Sequence, residues 1–207
     1  MSGRYSLRFT EEMKGWFAFG EADYVQGAAA GRKTGSSIMF HLTIVTDDVR
    51  RFIEERDHTA QARGWVKSDV LGGGLPVQEG VFNLFVTEGP HSRRMLYRLF
   101  FADSMGHPLT LSGFKEINGG SARAVWPETS TLYTRILQGH VGADQEAGAT
   151  IVGSGVLRIL TPDFGRQLTT FRAFGPSRMG RVSAMRDFIR LFLGQLWVVF
   201  GRRSAPR

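Results

Sequence analysis

Residues 38–46 alternate without a break: Ile38, Phe40, Leu42 and Ile44 fall on one face, and Met39, His41, Thr43 and Val45 on the other. A side-chain period of two belongs to a strand and to no helix. The rhythm returns along the chain. Met95, Tyr97, Leu99 and Phe101 share a face of one segment, and Leu109, Leu111, Gly113, Lys115 and Ile117 share a face of the next. Between them lies Asp103-Ser104-Met105-Gly106-His107-Pro108, a turn in which Gly106 can supply a positive φ. Residues 9–19, 131–141 and 164–174 are further strand-like stretches. Strands that follow one another through short turns pair antiparallel. The expected number is about nine or ten, and a sheet of that size curls or splits to hide its edges.

One stretch occurs twice. Ala62-Arg63-Gly64-Trp65-Val66 leads through Leu71-Gly72-Gly73-Gly74 to Gly80-Val81-Phe82-Asn83-Leu84. Seventy-five positions on, Leu137-Gln138-Gly139-His140-Val141 leads through Gly148 to Gly155-Val156-Leu157-Arg158-Ile159. Each copy reads as strand, Gly-rich connection, strand. Taken as a repeat, it divides one domain, residues 1–207, into similar halves at about 37–105 and 109–175. The other reading is that two hairpins look alike because hairpins do. The fold class is mainly β: an antiparallel barrel of lipocalin or calycin type, or a strongly bent sandwich, with a C-terminal helix. Thr46-Asp47-Asp48 caps a short helix over residues 49–56, and residues 23–35 form a loop or short helix. Val182, Met185, Phe188, Ile189, Phe192, Leu196, Val199 and Phe200 recur at helical spacing, which predicts the one long helix at 182–200.

Apolar residues at 42% of the 207-residue chain suffice for a proper core. The absence of cysteine excludes disulfides, thiolate metal sites and a cysteine nucleophile. Together with an N-terminus that lacks an apolar signal-like run, it fits a cytoplasmic protein. The net charge of +7 is concentrated at one end. From Pro176 onward there are seven arginines against one acid, Asp187, a balance of +6, while the first 175 residues carry 19 basic and 18 acidic groups. A nucleic-acid binder spreads its charge over a face of the fold, so no nucleic-acid partner is expected.

Gly153-Ser154-Gly155 opens like a dinucleotide fingerprint but continues as strand where a helix N-terminus is required. Leu71-Gly72-Gly73-Gly74 has no Lys-Ser/Thr after it, and no Gly-x-Ser-x-Gly elbow exists. The histidines at 41, 58, 91, 107 and 140 never pair at i+2, i+3 or i+4, so no metal site is expected and no cofactor is implied. His58, His91 and His107 fall in turn sequence and read most simply as exposed; His41 and His140 fall in strands.

Lys115 fits its surroundings least well. Alternation places it on an apolar face, and a buried lysine needs a partner. A kink at Gly113 that turns it outward, a salt bridge near a barrel mouth, or a ligand contact beside Tyr97, Tyr133 and His41 would each answer. The final helix also has two readings. It packs on the barrel, or it lies on a membrane surface with Arg181, Arg186, Arg190, Arg202 and Arg203 towards anionic head groups. The function expected first is non-catalytic binding of an apolar or amphipathic small molecule: a lipid, a sterol or a polyketide-like compound. Phe101 and Leu111 would line the wall, with His41, Tyr97, Lys115 and Tyr133 as polar contacts. One alternative is a cofactor-free isomerase or cyclase using His41, Tyr97, Lys115 or Tyr133 as acid or base. The other is a structural or interaction domain.

Four stretches carry a resemblance: Leu7-Arg8-Phe9-Thr10-Glu11-Glu12-Met13-Lys14-Gly15, Glu79-Gly80-Val81-Phe82-Asn83-Leu84-Phe85-Val86, His107-Pro108-Leu109-Thr110-Leu111-Ser112-Gly113-Phe114-Lys115 and Asp163-Phe164-Gly165-Arg166-Gln167-Leu168-Thr169-Thr170-Phe171. Over most of residues 7–200 the chain resembles an uncharacterised bacterial domain found beside cholesterol-oxidase-like, GMC-type flavin modules and α/β-hydrolase modules. The resemblance implies a setting in lipid or sterol metabolism, with an oxidase or hydrolase as possible partner. It transfers no catalytic residue, because the chain has neither the flavin fingerprint nor the hydrolase elbow.

Overall fold

The structure, a computed structural model, describes residues 3–90, 92–118, 124–160 and 169–200. Alternation becomes strand wherever one face can be buried. The strands are β1 (Ser6–Phe19), β2 (Ser37–Thr46), β3 (Thr59–Ser68), β4 (Gly73–Pro76), β5 (Glu79–Gly89), β6 (Ser92–Ala102), β7 (Pro108–Ile117), β8 (Thr131–Gln138), β9 (Ile151–Arg158) and β10 (Arg172–Phe174). Every pairing is antiparallel. Eight strands follow one another as β1-β2-β3-β5-β6-β7-β8-β9, and β9 returns to β1 from Lys14↔Arg158 to Phe19↔Gly153. That last pairing closes a barrel, and the sandwich alternative falls away. β4 continues beside the end of β3, and β10 pairs with the start of β1.

Closure depends on close backbone approach. Gly15, Gly153 and Gly155 stand at the β1–β9 seam, where a Cβ would come within 1.9 to 2.4 Å of a carbonyl oxygen of the opposite strand. No side chain fits there. Inside, the alternate residues Phe17, Phe40, Leu42, Phe101, Leu111, Leu132, Ile136 and Leu157 are fully buried. The two similar stretches of sequence occupy two hairpins, β3 to β5 and β8 to β9. Gly64 lies within β3, whereas Gly139 follows the end of β8.

Four α-helices lie among the described residues. α1 (Tyr24–Thr34) starts where the Asp23 carboxylate accepts from the amides of Val25 and Gln26, and ends at Gly35 with φ 76°. It packs on the outside of β1 and β9 through Gly27 and Gly31. α2 (Val49–Glu54) is capped by Asp48, and α3 (Val125–Ser130) precedes β8. α4 (Arg178–Phe200) covers one end of the barrel. Its Phe188 ring lies 6.3 Å from Phe9, 6.2 Å from Phe52 and 5.8 Å from Phe171, and Phe192 lies 5.2 Å from Phe85. Of the strand expected at 164–174, Arg172–Phe174 is strand; residues 161–168 lie outside the described residues.

Candidate functional site

Leu7, Phe9, Glu11 and Met13 all point into the barrel, so β1 inserts one carboxylate into a row of apolar side chains. On the facing wall, β6 and β7 pair with Tyr97 opposite Gly113 and Met95 opposite Lys115. The alternation of β7 runs straight through Gly113, so no kink turns Lys115 outward. Lys115 and Glu11 are 2% and 3% exposed, and Tyr97 is equally buried.

The three side chains meet in the interior. Lys115 Nζ donates to Glu11 Oε1 at 2.5 Å, and the Tyr97 hydroxyl donates to Glu11 Oε2 at 2.7 Å. The ammonium also lies 5.2 Å from the centroid of the Tyr97 ring. Each Glu11 oxygen thus has its own donor, which is the condition for burying a carboxylate. Phe40 and Phe82 pack on Tyr97 at 5.8 and 5.0 Å between ring centroids. Burial first, and then the neighbouring Glu11 charge, hold the Tyr97 phenol well above its ordinary pKa of 10.0. It is a hydrogen-bond donor and not a phenolate.

Of the residues named from sequence, Tyr97, Phe101, Leu111 and Lys115 share the interior. His41 and Tyr133 do not join them. His41 stands on the outer face of β2, stacked on Trp65 at 5.8 Å and 3.3 Å from Glu12 Oε2. Tyr133 stands on the outer face of β8 against Phe114 and Tyr24. Glu11 was missed, although the alternation from Leu7 carries it inward. His58, read as exposed, is buried: its Nδ1 lies 2.8 Å from the Phe52 carbonyl oxygen, against the last turn of α2. Among the described residues no three His, Asp or Glu side chains gather as a metal ion would need.

Two features mark the end of the barrel under α4. His58 and Phe85 adopt φ of 41° and 54°, the left-handed region that bulky residues avoid. Phe85 sits in an irregularity between Asn83 and Val86, where the register with β6 shifts, and its ring is aimed at Phe192 of α4. Outside the wall, an open groove of about 990 Å³ runs over β2, β3 and β5 beside α2. Arg51, Arg56 and Arg63 line it together with Asp47, Glu55 and Glu79, so it presents both signs of charge.

No known protein family, curated protein or solved structure matches the chain. The functional reading therefore rests on the geometry above.

Proposed function

We propose that this protein is a non-catalytic barrel module that works through its outer surface, with the α4 end as its working face. The observation that carries the reading is the filled interior. Phe17, Phe40, Phe82, Tyr97 and Phe101 occupy the space that a ligand-carrying barrel leaves open, and all are at most 2% exposed. The triad supports the same reading, because Glu11 spends its oxygens on Lys115 and Tyr97. The test is a thermal-shift and native mass-spectrometry screen against fatty acids, sterols and polyketide-like compounds. No compound should bind. A compound whose binding is lost in Lys115→Met would overturn the proposal.

A second reading is favoured by the strained backbone at His58 and Phe85. Strain of this kind collects where a structure has an alternative arrangement. If α4 swings away, the barrel end opens towards Glu11, Lys115 and Tyr97, which would receive the polar group of an amphipathic molecule. A hit in the same screen that disappears when α4 is cross-linked to the barrel would support it.

A further inference from the structure

α4 is apolar on two sides. Its inner side buries Ala184, Phe188, Val199 and Phe200 against the barrel. Its outer side carries Met179, Val182, Arg186, Arg190, Leu193 and Trp197, successive residues three or four apart and therefore in line along one face. The apolar members are not marginal: Met179 is 84% exposed, Trp197 72%, Val182 63% and Leu193 59%. Ile189 flanks them at 47%. Isolated exposed apolar residues are ordinary, but five of them gathered along one side of a single helix mark an interaction surface.

The charges in the row identify what covers it. α4 holds four arginines, at 178, 181, 186 and 190, against the single acid Asp187. Asp187 is already engaged by Arg186 and Ser183. Arg186 and Arg190 sit within the row itself, between Val182 and Leu193. An apolar groove of another protein would have to bury both guanidinium groups. A bilayer surface would not: leucine, isoleucine and tryptophan enter the acyl boundary while arginine stems reach back to the phosphates. The sequence beyond Phe200 adds Arg202, Arg203 and Arg207 and no acid. No helix among the described residues is long and apolar enough to cross a membrane, so the contact is one of lying on the surface.

We infer that the outer face of α4 seats this protein on an anionic lipid bilayer, with Ile189, Leu193 and Trp197 in the apolar boundary and Arg186 and Arg190 on the head-group phosphates. This rests on the reading of α4 as the working face and names its partner. The experiment is vesicle co-sedimentation of the full chain with phosphatidylglycerol–phosphatidylcholine vesicles and with pure phosphatidylcholine. The protein should sediment with the anionic vesicles and not with the neutral ones, and high salt should release it. Arg186→Glu/Arg190→Glu should weaken partitioning by about ten-fold or more. Leu193→Asp/Trp197→Asp should abolish it while the melting temperature stays put, because neither side chain is buried. A wild type that stays in the supernatant with anionic vesicles overturns the inference. So does sedimentation that both double variants retain. A concentration-dependent dimer that Leu193→Asp/Trp197→Asp dissolves, without vesicle binding, would make a second copy the occupant and overturns it as well. None of these outcomes bears on the filled interior, which the ligand screen tests separately.

Discussion

Glu11, Lys115 and Tyr97 hold one another in the interior, and among the described residues Lys115 and Tyr97 are the donors that meet the Glu11 carboxylate. Removing one member is therefore worse than removing all three. Lys115→Met leaves a buried carboxylate with only a phenol to meet it and should destabilise the protein by about 3–5 kcal/mol in chemical denaturation. The triple variant Glu11→Leu/Tyr97→Phe/Lys115→Met should return to within about 1–2 kcal/mol of wild type or exceed it. The raised Tyr97 pKa gives a second expectation. Below the ordinary value of 10.0 the phenol is protonated in both folded and unfolded chains and its contribution is intact. Above that value the unfolded chain ionises first, so stability falls as pH rises. Melting curves of Tyr97→Phe should decline less steeply over the same alkaline range. Glu11 was missed although Leu7, Phe9 and Met13 flank it at even spacing, whereas Lys115 was legible because it breaks an apolar row. The positions of His41 and Tyr133 were not. In β8, Tyr133 and Arg135 share their face with the apolar Leu137, and Leu132 and Ile136 share theirs with Thr134, so both faces mix polar and apolar residues and period two alone does not say which is inside.

At the scale of elements, glycine does opposite jobs in the two longer helices. Gly31 of α1 lies where a Cβ would stand 2.1 Å from the Phe17 carbonyl oxygen, whereas Gly194 of α4 has nothing within 4 Å. The same substitution should act with opposite sign. Gly31→Ala should cost about 2 kcal/mol or more by lifting α1 off β1, and Gly194→Ala should add about 0.5–1 kcal/mol from helix propensity alone. Thermal melts of the two variants decide it. This is also why residues 23–35 read as either loop or short helix in the sequence: the buried face of α1 is Gly27 and Gly31, with no apolar stripe to reveal it. The barrel strands were plain because each buries one face. The strain at Phe85 was not legible, since a bulge changes register without changing composition.

At the scale of the whole molecule, the order of the eight barrel strands follows from pairings between neighbours along the chain, with β4 set aside against β3, and the closure does not. β1 meets β9, and no local turn dictates that meeting. Local pattern could suggest a curled sheet, but the choice between barrel and sandwich lay in the glycines at 15, 153 and 155, whose role depends on a partner far away in sequence. Refolding should accordingly be slow, in the millisecond-to-second range that non-local β pairing imposes. Gly155→Ala should slow it further in stopped-flow traces, because Trp16 stands in the way of the added Cβ. Synthesis meets the same pairing from another side. Phe19 and its partner Gly153 are 134 positions apart, and a ribosome adding 5–20 residues per second takes roughly 7–27 s to cover that distance. Throughout that interval one margin of the first strand carries unclaimed amide and carbonyl groups, open to any other extended chain nearby. The vulnerable form of this protein is thus its nascent chain, and the yield of finished molecules depends on what shields that margin before the ninth strand emerges.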